Sequence, residues 1–184
     1  MTPTRTLSRT DAEPAVLRAP RTGDGAPLWR IAVESGVLDA NSSYAYLLWC
    51  RDFRTTSVVA EIDAEVTGFV TGYRRPQAPH TLFVWQVAVD RGARGRGLAG
   101  AMLDHLVGTL AGQGVSTLET TVSPDNEASL AMFAALARRH DTELEREQLF
   151  TPPDFPDGHE AEDLYRIALQ SAAHTEEEII DDHR

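Results

Sequence analysis

Between Val84 and Ala99 the chain reads VWQVAVDRGARGRGLA. A β-branched and aromatic run ends at Val89, a loop carries Arg91, Arg94, Arg96 and three glycines, and a helical pattern then begins. Glycine has no Cβ, so backbone at such positions can approach a ligand closely and reach positive φ without steric penalty. A helix N-terminus adds unpaired N–H groups and partial positive charge, which suits phosphate oxygens. Three arginines within six residues reinforce that field. Together these features predict a pyrophosphate cradle. Elsewhere, Asp39 and Glu119 supply carboxylates, His159 an imidazole that titrates near neutrality, and Tyr44 and Trp85 aromatic walls.

Two nucleotide readings fit the loop. Gly95, Gly97 and Gly100 form GRGLAG, a match to the dinucleotide pattern G-x-G-x-x-G, with Glu119 about where a ribose-binding acid is expected. The same stretch fits Gln/Arg-x-x-Gly-x-Gly/Ala at Arg94, Gly97 and Ala99, which resembles the acyl-CoA loop of the GNAT N-acetyltransferases. A third reading is a plain glycine turn with solvated arginines. The surrounding chain favours acyl-CoA. After Glu119 only one helix and two strands follow, too few for the further βα units of a dinucleotide domain, and the upstream strands are joined by short turns.

The elements that must position these groups follow from periodicity and punctuation. Ala15 to Arg18 reads as a short strand. Asp24 is the expected N-cap of a helix with Pro27 in its first turn, running to Ser35 and stopping at Gly36. Asn41 or Ser42 caps a second helix with Tyr46, Leu47 and Cys50 on one face. Ser57–Ile62 and Val66–Tyr73 are strands around a turn at Asp63–Ala64, and Gly68 and Gly72 suggest a bulge or close backbone approach. Pro76 to Pro79 breaks the chain before a strand over Leu82–Val89. Leu98, Met102, Leu106 and Leu110 form the core stripe of the helix after the cradle. Val115–Ser123 is the next strand, and Asp125 is the expected cap of a helix bearing Leu130, Phe133, Ala134 and Ala137. Glu143–Phe150 and Asp163–Leu169 close the order, separated by a Pro- and acid-rich segment that contains His159. The chain is read as one α/β domain over 15–169, with a disordered segment at 1–14 and an acidic tail at 170–184.

A length of 184 residues suits one domain with a sizeable core, and 42% hydrophobic with 24% charged residues is ordinary for a globular protein. The net charge of −11 falls to about −7 without the stretch from Thr175, so nucleic acid and anionic membranes are unfavourable partners. Cys50 is the sole cysteine, which leaves no internal disulfide or thiolate metal site. No apolar run approaches a membrane span, and the N-terminus lacks an apolar signal region, so a cytoplasmic setting is expected.

Several runs resemble one GNAT member family, the L-2,4-diaminobutyrate acetyltransferases of ectoine biosynthesis. They are LDANSSYAYLL (38–48), VVAE (58–61), GFVTGYRRP (68–76), TLFVWQVAV (81–89), RGRGLA (94–99), LETTVSPDNEAS (118–129) and HEAEDLYRI (159–167). The resemblance implies the GNAT acyl-CoA N-acyltransferase fold, a mixed, mostly antiparallel sheet flanked by helices, with the fourth and fifth strands splayed around the acyl group. It implies acetyl transfer from acetyl-CoA to the γ-amino group of L-2,4-diaminobutyrate, with no metal, and a homodimer. Ectoine synthase would cyclise the product.

Attack on a thioester needs a neutral amine, whereas such an amine is mostly protonated at pH 7. Glu119 is the first candidate for base or proton relay, and His159 the second. Asp39 could hold the α-ammonium by a charge-assisted hydrogen bond. Tyr44 and Trp85 could wall the amino acid, Trp85 with a cation–π contact. Gln86, Val87 and Val89 would offer backbone groups to the thioester and pantetheine arm, and Asn126, capping the helix after the fifth strand, would contact CoA. Arg94, Gly95, Arg96, Gly97, Leu98 and Ala99 form the cradle itself. The helix after the fifth strand has Phe133 and no tyrosine between 124 and 141, so Tyr44, Tyr165 or water is left to protonate the leaving thiolate. Arg51, Arg54 and Arg74 are each possible partners of the substrate carboxylate.

Overall fold

The computed structural model describes residues 14–39 and 41–169. The acidic tail and all of the N-terminal segment except Pro14 lie outside the described residues. In chain order the elements are β1 (Val16–Arg18), α1 (Gly25–Ser35), α2 (Ser43–Asp52), β2 (Val58–Ile62), β3 (Glu65–Arg75), β4 (Ala78–Val89), α3 (Leu98–Ala111), β5 (Thr117–Val122), α4 (Glu127–Arg139), β6 (Glu145–Phe150) and β7 (Glu162–Ala168). The strands form one sheet in the order β1-β2-β3-β4-β5-β7-β6. Among the described residues only β4 and β5 pair in parallel; every other neighbour pair is antiparallel. This is the mixed, mostly antiparallel α/β sheet expected from the sequence.

Apolar periodicity sets the layers. On one face Met102, Leu103, Leu106 and Leu110 of α3, with Phe133 and Leu136 of α4, bury against Val58, Val70, Leu82 and Val84. Each such side chain contributes about 2 kcal/mol on leaving water. On the other face Leu28, Ile31 and Ala32 of α1 and Tyr46 and Cys50 of α2 cover Val59, Phe69 and Ala88. Burial pushes the Cys50 thiol up to about 11, which leaves it an inert packing group.

Three local expectations need correction. Asp24 holds the expected N-cap position of α1 but its side chain makes no cap hydrogen bond there: its carboxylate accepts the Arg21 N–H at 2.6 Å and pairs with Arg18, which also binds Glu61. The cap of α4 is Asn126, whose Oδ1 accepts the Ser129 N–H at 3.1 Å, and not Asp125. Pro79 lies inside β4 rather than before it. The β3–β4 register passes from Arg74↔Leu82 to Arg75↔Ala78, so Pro79 sits in an irregular stretch where the register assigns it no partner.

Two irregularities in β4 shape the site. Its pairing with β5 ends at Val84↔Thr120, although β4 continues to Val89 and β5 to Val122. Beyond that pair the two strands part. The second irregularity is a bulge: Thr71 faces Gln86 and Gly72 faces Val84, which leaves Trp85 as the extra residue. An extra residue breaks the alternation of strand side chains. Trp85 and Gln86 therefore both face α2, where Trp85 stacks on Trp49 and Gln86 meets Tyr46. Val84, Val87 and Val89 instead face the α3 layer. Gly72 is required beside the bulge, because a Cβ there would lie 2.8 Å from the Phe83 carbonyl oxygen.

Candidate active site

The turn after β4 is built by its own polar groups. Asp90 Oδ1 accepts the Gly92 N–H at 2.9 Å, and Arg94 Nε donates to the Val89 carbonyl at 3.1 Å. Gly95 (φ 76°) and Gly97 (φ 74°) take left-handed backbone, which L side chains adopt only with strain. Gly97 is the N-cap of α3, so the first-turn N–H groups of that helix open beside the loop. A cleft of about 450 Å³ lies over this turn, lined by Val87, Val89, Arg94, Gly95, Gly97, Leu98, Ala99 and Asn126 among others. Arg96 is not in that lining. Since Asn126 Oδ1 is engaged as the cap, its amide NH₂ is the group left for a ligand.

A second cavity of about 420 Å³ adjoins the first, sharing Val37, Val87, Asn126 and Ser129. It opens where β4 and β5 part, and Asp39, Trp85, Gln86 and His159 all line it. Gln86 thus belongs to this cavity and not to the cleft. Its Oε1 accepts from the Tyr46 hydroxyl at 3.1 Å, and its Nε2 donates to the Asp39 carbonyl at 3.4 Å. The strut holds the α1–α2 loop against β4. Across the cavity, His159 Nε2 lies 3.3 Å from Asp39 Oδ2, while its Nδ1 faces the Glu160 carbonyl at 2.8 Å. That carbonyl contact, followed by the nearby Asp39 and Glu162 charges, raises the His159 pKa despite an opposing desolvation effect.

Two expected residues stand apart. Tyr44 is 65% exposed and lines neither cavity. It is Tyr46, two residues on and about 200° around the helix, that points inward. Glu119 is 3% exposed and also outside both linings. Its Oε2 accepts from Arg75 at 2.6 Å and its Oε1 from Arg166 at 3.0 Å, so each oxygen already holds a guanidinium. Arg51, Arg54 and Arg74 line neither cavity; Arg51 pairs with Asp52, and Arg74 donates to Gln113.

Sequence reasoning passed over Thr121, Ser123, Asp157 and Glu162, all of which line the second cavity. Glu162 Oε1 accepts from Ser123 Oγ at 2.8 Å, joining the start of β7 to the end of β5. The signal available was position: Ser123 ends the predicted fifth strand, and Glu162 follows His159 by three residues.

Parted β4 and β5 strands, a glycine–arginine turn at a helix N-terminus and an acidic cavity beside it define an acyl-CoA-dependent N-acyltransferase. The family model of the Acetyltransferase (GNAT) family matches residues 27–137. The chain is 60% identical over 154 residues to L-2,4-diaminobutyric acid acetyltransferase of Nocardia farcinica, spanning 84% of this chain and 80% of that one. It is 57% identical over 156 residues to the Streptomyces coelicolor protein of the same name, spanning 83% and 92%. The structure of diaminobutyrate acetyltransferase EctA from Paenibacillus lautus, in complex with its substrate L-2,4-diaminobutyric acid and coenzyme A, superposes with a TM-score of 0.81 at 40% identity, covering 85% of this chain and 95% of that one. The chain belongs to the L-2,4-diaminobutyric acid acetyltransferase family within the GNAT fold.

Proposed function

We propose that the chain transfers the acetyl group of acetyl-CoA to the γ-amino group of L-2,4-diaminobutyrate, giving N-γ-acetyl-L-2,4-diaminobutyrate in ectoine biosynthesis. The observation that carries this reading is the junction of the two cavities at Val87 and Asn126, which joins the glycine–arginine turn to a cavity rich in carboxylates. A diamine substrate is cationic at neutral pH, and Asp39, Asp157 and Glu162 supply the opposite charge.

Acetyl-CoA supplies the acetyl group as an activated thioester. Arg94, Arg96, Gly95, Gly97 and the first turn of α3, with Leu98 and Ala99, hold its diphosphate, and Asn126 contacts it through its amide NH₂. The edge of β4 from Gln86 to Val89, unpaired by β5, offers backbone donors to the thioester carbonyl. Trp85, backed by Trp49, walls the carbon chain of the amino acid, and Asp39 binds its α-ammonium. The γ-ammonium must lose a proton before its nitrogen attacks. Glu162 is the carboxylate in the lining that a hydroxyl, Ser123, already orients, and it takes that proton directly or through water. Glu119 acts indirectly, by fixing the sheet behind Trp85. Tyr44 and Tyr165 line neither cavity, which leaves water to protonate the leaving thiolate.

A homodimer and a cytoplasmic location complete the proposal. Light scattering should give twice the 20.2 kDa chain mass. No helix among the described residues is long and apolar enough to cross a membrane. The function is tested by thiol release from acetyl-CoA with L-2,4-diaminobutyrate as acceptor, with the acetylated nitrogen located by NMR.

A further inference from the structure

The cavity that receives the acceptor has an imbalance. Among the described residues three carboxylates line it and no arginine does, and the chain has no lysine at all. The two arginines near its wall, Arg75 and Arg166, are bound to Glu119 and line no part of it. An α-amino acid carries a carboxylate as well as an ammonium, and that carboxylate needs a cationic or hydrogen-bonding partner. Among the described residues His159 is the one lining side chain that can become a cation.

Its surroundings make it one. A carbonyl oxygen only accepts, so Nδ1 at 2.8 Å from the Glu160 carbonyl carries a proton. Nε2 lies 3.3 Å from Asp39 Oδ2, placed to donate to it when the ring is protonated, and the His159 pKa is raised. The ring further rests against Phe155, with centroids 4.6 Å apart, and Phe155 is steadied by Phe150 at 6.1 Å. An aromatic face favours imidazolium over imidazole. The charged groups that line the cavity with the ring are Asp39 from the α1–α2 loop, Asp157 from its own loop, and Glu162 at the start of β7. All of them favour the cation. Asp39 is in turn placed by the Tyr46–Gln86 strut.

We infer that Asp39 and His159 form a clamp for the zwitterionic head of the acceptor, with His159 holding the α-carboxylate while Asp39 holds the α-ammonium. The two residues already lie side by side with opposite charge, and an ammonium and carboxylate on one carbon complete an alternating square with them. The clamp selects amino acids over plain diamines. It makes His159 a binding residue, not the base. This inference rests on the acetyl transfer proposed above and deepens it.

The test compares L-2,4-diaminobutyrate with 1,3-diaminopropane, which keeps both amines at the same spacing and lacks the carboxylate. Thiol release is measured at saturating acetyl-CoA for wild type, His159→Gln and Asp39→Asn. Wild type is expected to favour diaminobutyrate. His159→Gln should lower kcat/KM for diaminobutyrate about ten- to a hundredfold, mainly through KM, and leave diaminopropane nearly unchanged. Asp39→Asn should weaken both acceptors, since both present an ammonium. In wild type the preference should fade as pH rises past the His159 pKa, and in His159→Gln it should be flat. Equal losses on both acceptors, or an intact preference in His159→Gln, would overturn the clamp alone. A wild type that turns over no diaminobutyrate would overturn the underlying function, and the clamp with it.

Discussion

Arg75, at the end of β3, donates to Glu119 on β5 at 2.6 Å and so reaches across the intervening β4. Arg166 of β7 grips the same carboxylate from the other side. The sheet is thereby tied together on its α2 face next to the place where β4 and β5 cease to pair. Glu119→Gln keeps the shape and removes the charge that holds two guanidiniums. We expect kcat to fall about tenfold or more, the melting temperature to drop, and the Kd for acetyl-CoA to change little. The carboxylate is buried but both guanidiniums are about two-fifths exposed, so after solvent screening the loss of its charge costs on the order of 1–2 kcal/mol. Unaltered turnover and melting together would show that the tie is dispensable.

The glycine turn should respond to backbone strain more than to crowding. A Cβ on Gly97 would meet nothing within 4 Å, yet its φ of 74° belongs to the left-handed region. Gly97→Ala is therefore expected to cost about 1 kcal/mol and to weaken acetyl-CoA binding by misplacing the first turn of α3. Arg94→Ala with Arg96→Ala should raise the KM for acetyl-CoA by about tenfold or more at unchanged KM for the amine. Isothermal titration with CoA measures both, and an unchanged affinity in the arginine double variant would refute the cradle.

Trp49 stacks against Trp85 with ring centroids 4.8 Å apart and planes at 17°. Trp49→Leu should loosen the Trp85 wall and raise the KM for the amine several-fold, at about 1 kcal/mol for the lost ring pair. The KM for acetyl-CoA should hold. Similar losses in both constants would mean that α2 as a whole had moved.

Acid and alkali should act on different contacts. The His159 pKa is raised in the folded chain, so its contact with Asp39 is fully present below the ordinary imidazole value near 6.5 and is lost as pH rises through the raised value. The Asp24 carboxyl is held low by the Arg18 guanidinium and the Arg21 N–H, which overcome the opposing effect of burial. Its contribution is present above about pH 4 and is lost as pH falls through the lowered value. Urea titrations of wild type and Arg18→Ala across pH 3–8 should show the difference in stability shrinking at the acid end. A constant difference would remove the Arg18–Asp24 pair from acid stability.

The legible parts of the fold were those written locally. The succession of elements, the stop of α1 at Gly36 and the left-handed turn at Asp63–Ala64 follow from neighbouring residues alone. The left-handed glycines of the 94–97 turn were equally readable, because their spacing states a backbone need within one segment. What stayed hidden depends on distant partners. The two guanidiniums on Glu119 come from 44 and 47 residues away, and without them it reads as an available base. Trp85 and Gln86 share a face only because of the bulge opposite Gly72, which strict alternation forbids. Tyr44 and Tyr46 were separable only by helix phase, which a short amphipathic stretch fixes weakly.

The most direct measurement is the rate of thiol release from acetyl-CoA with L-2,4-diaminobutyrate, run beside ornithine, lysine and spermidine, with the product assigned by mass and NMR. Selective turnover of diaminobutyrate with the acetyl group on the γ-nitrogen is the expected result. Coenzyme A binding without diaminobutyrate turnover, or acetyl found on the α-nitrogen, would contradict it.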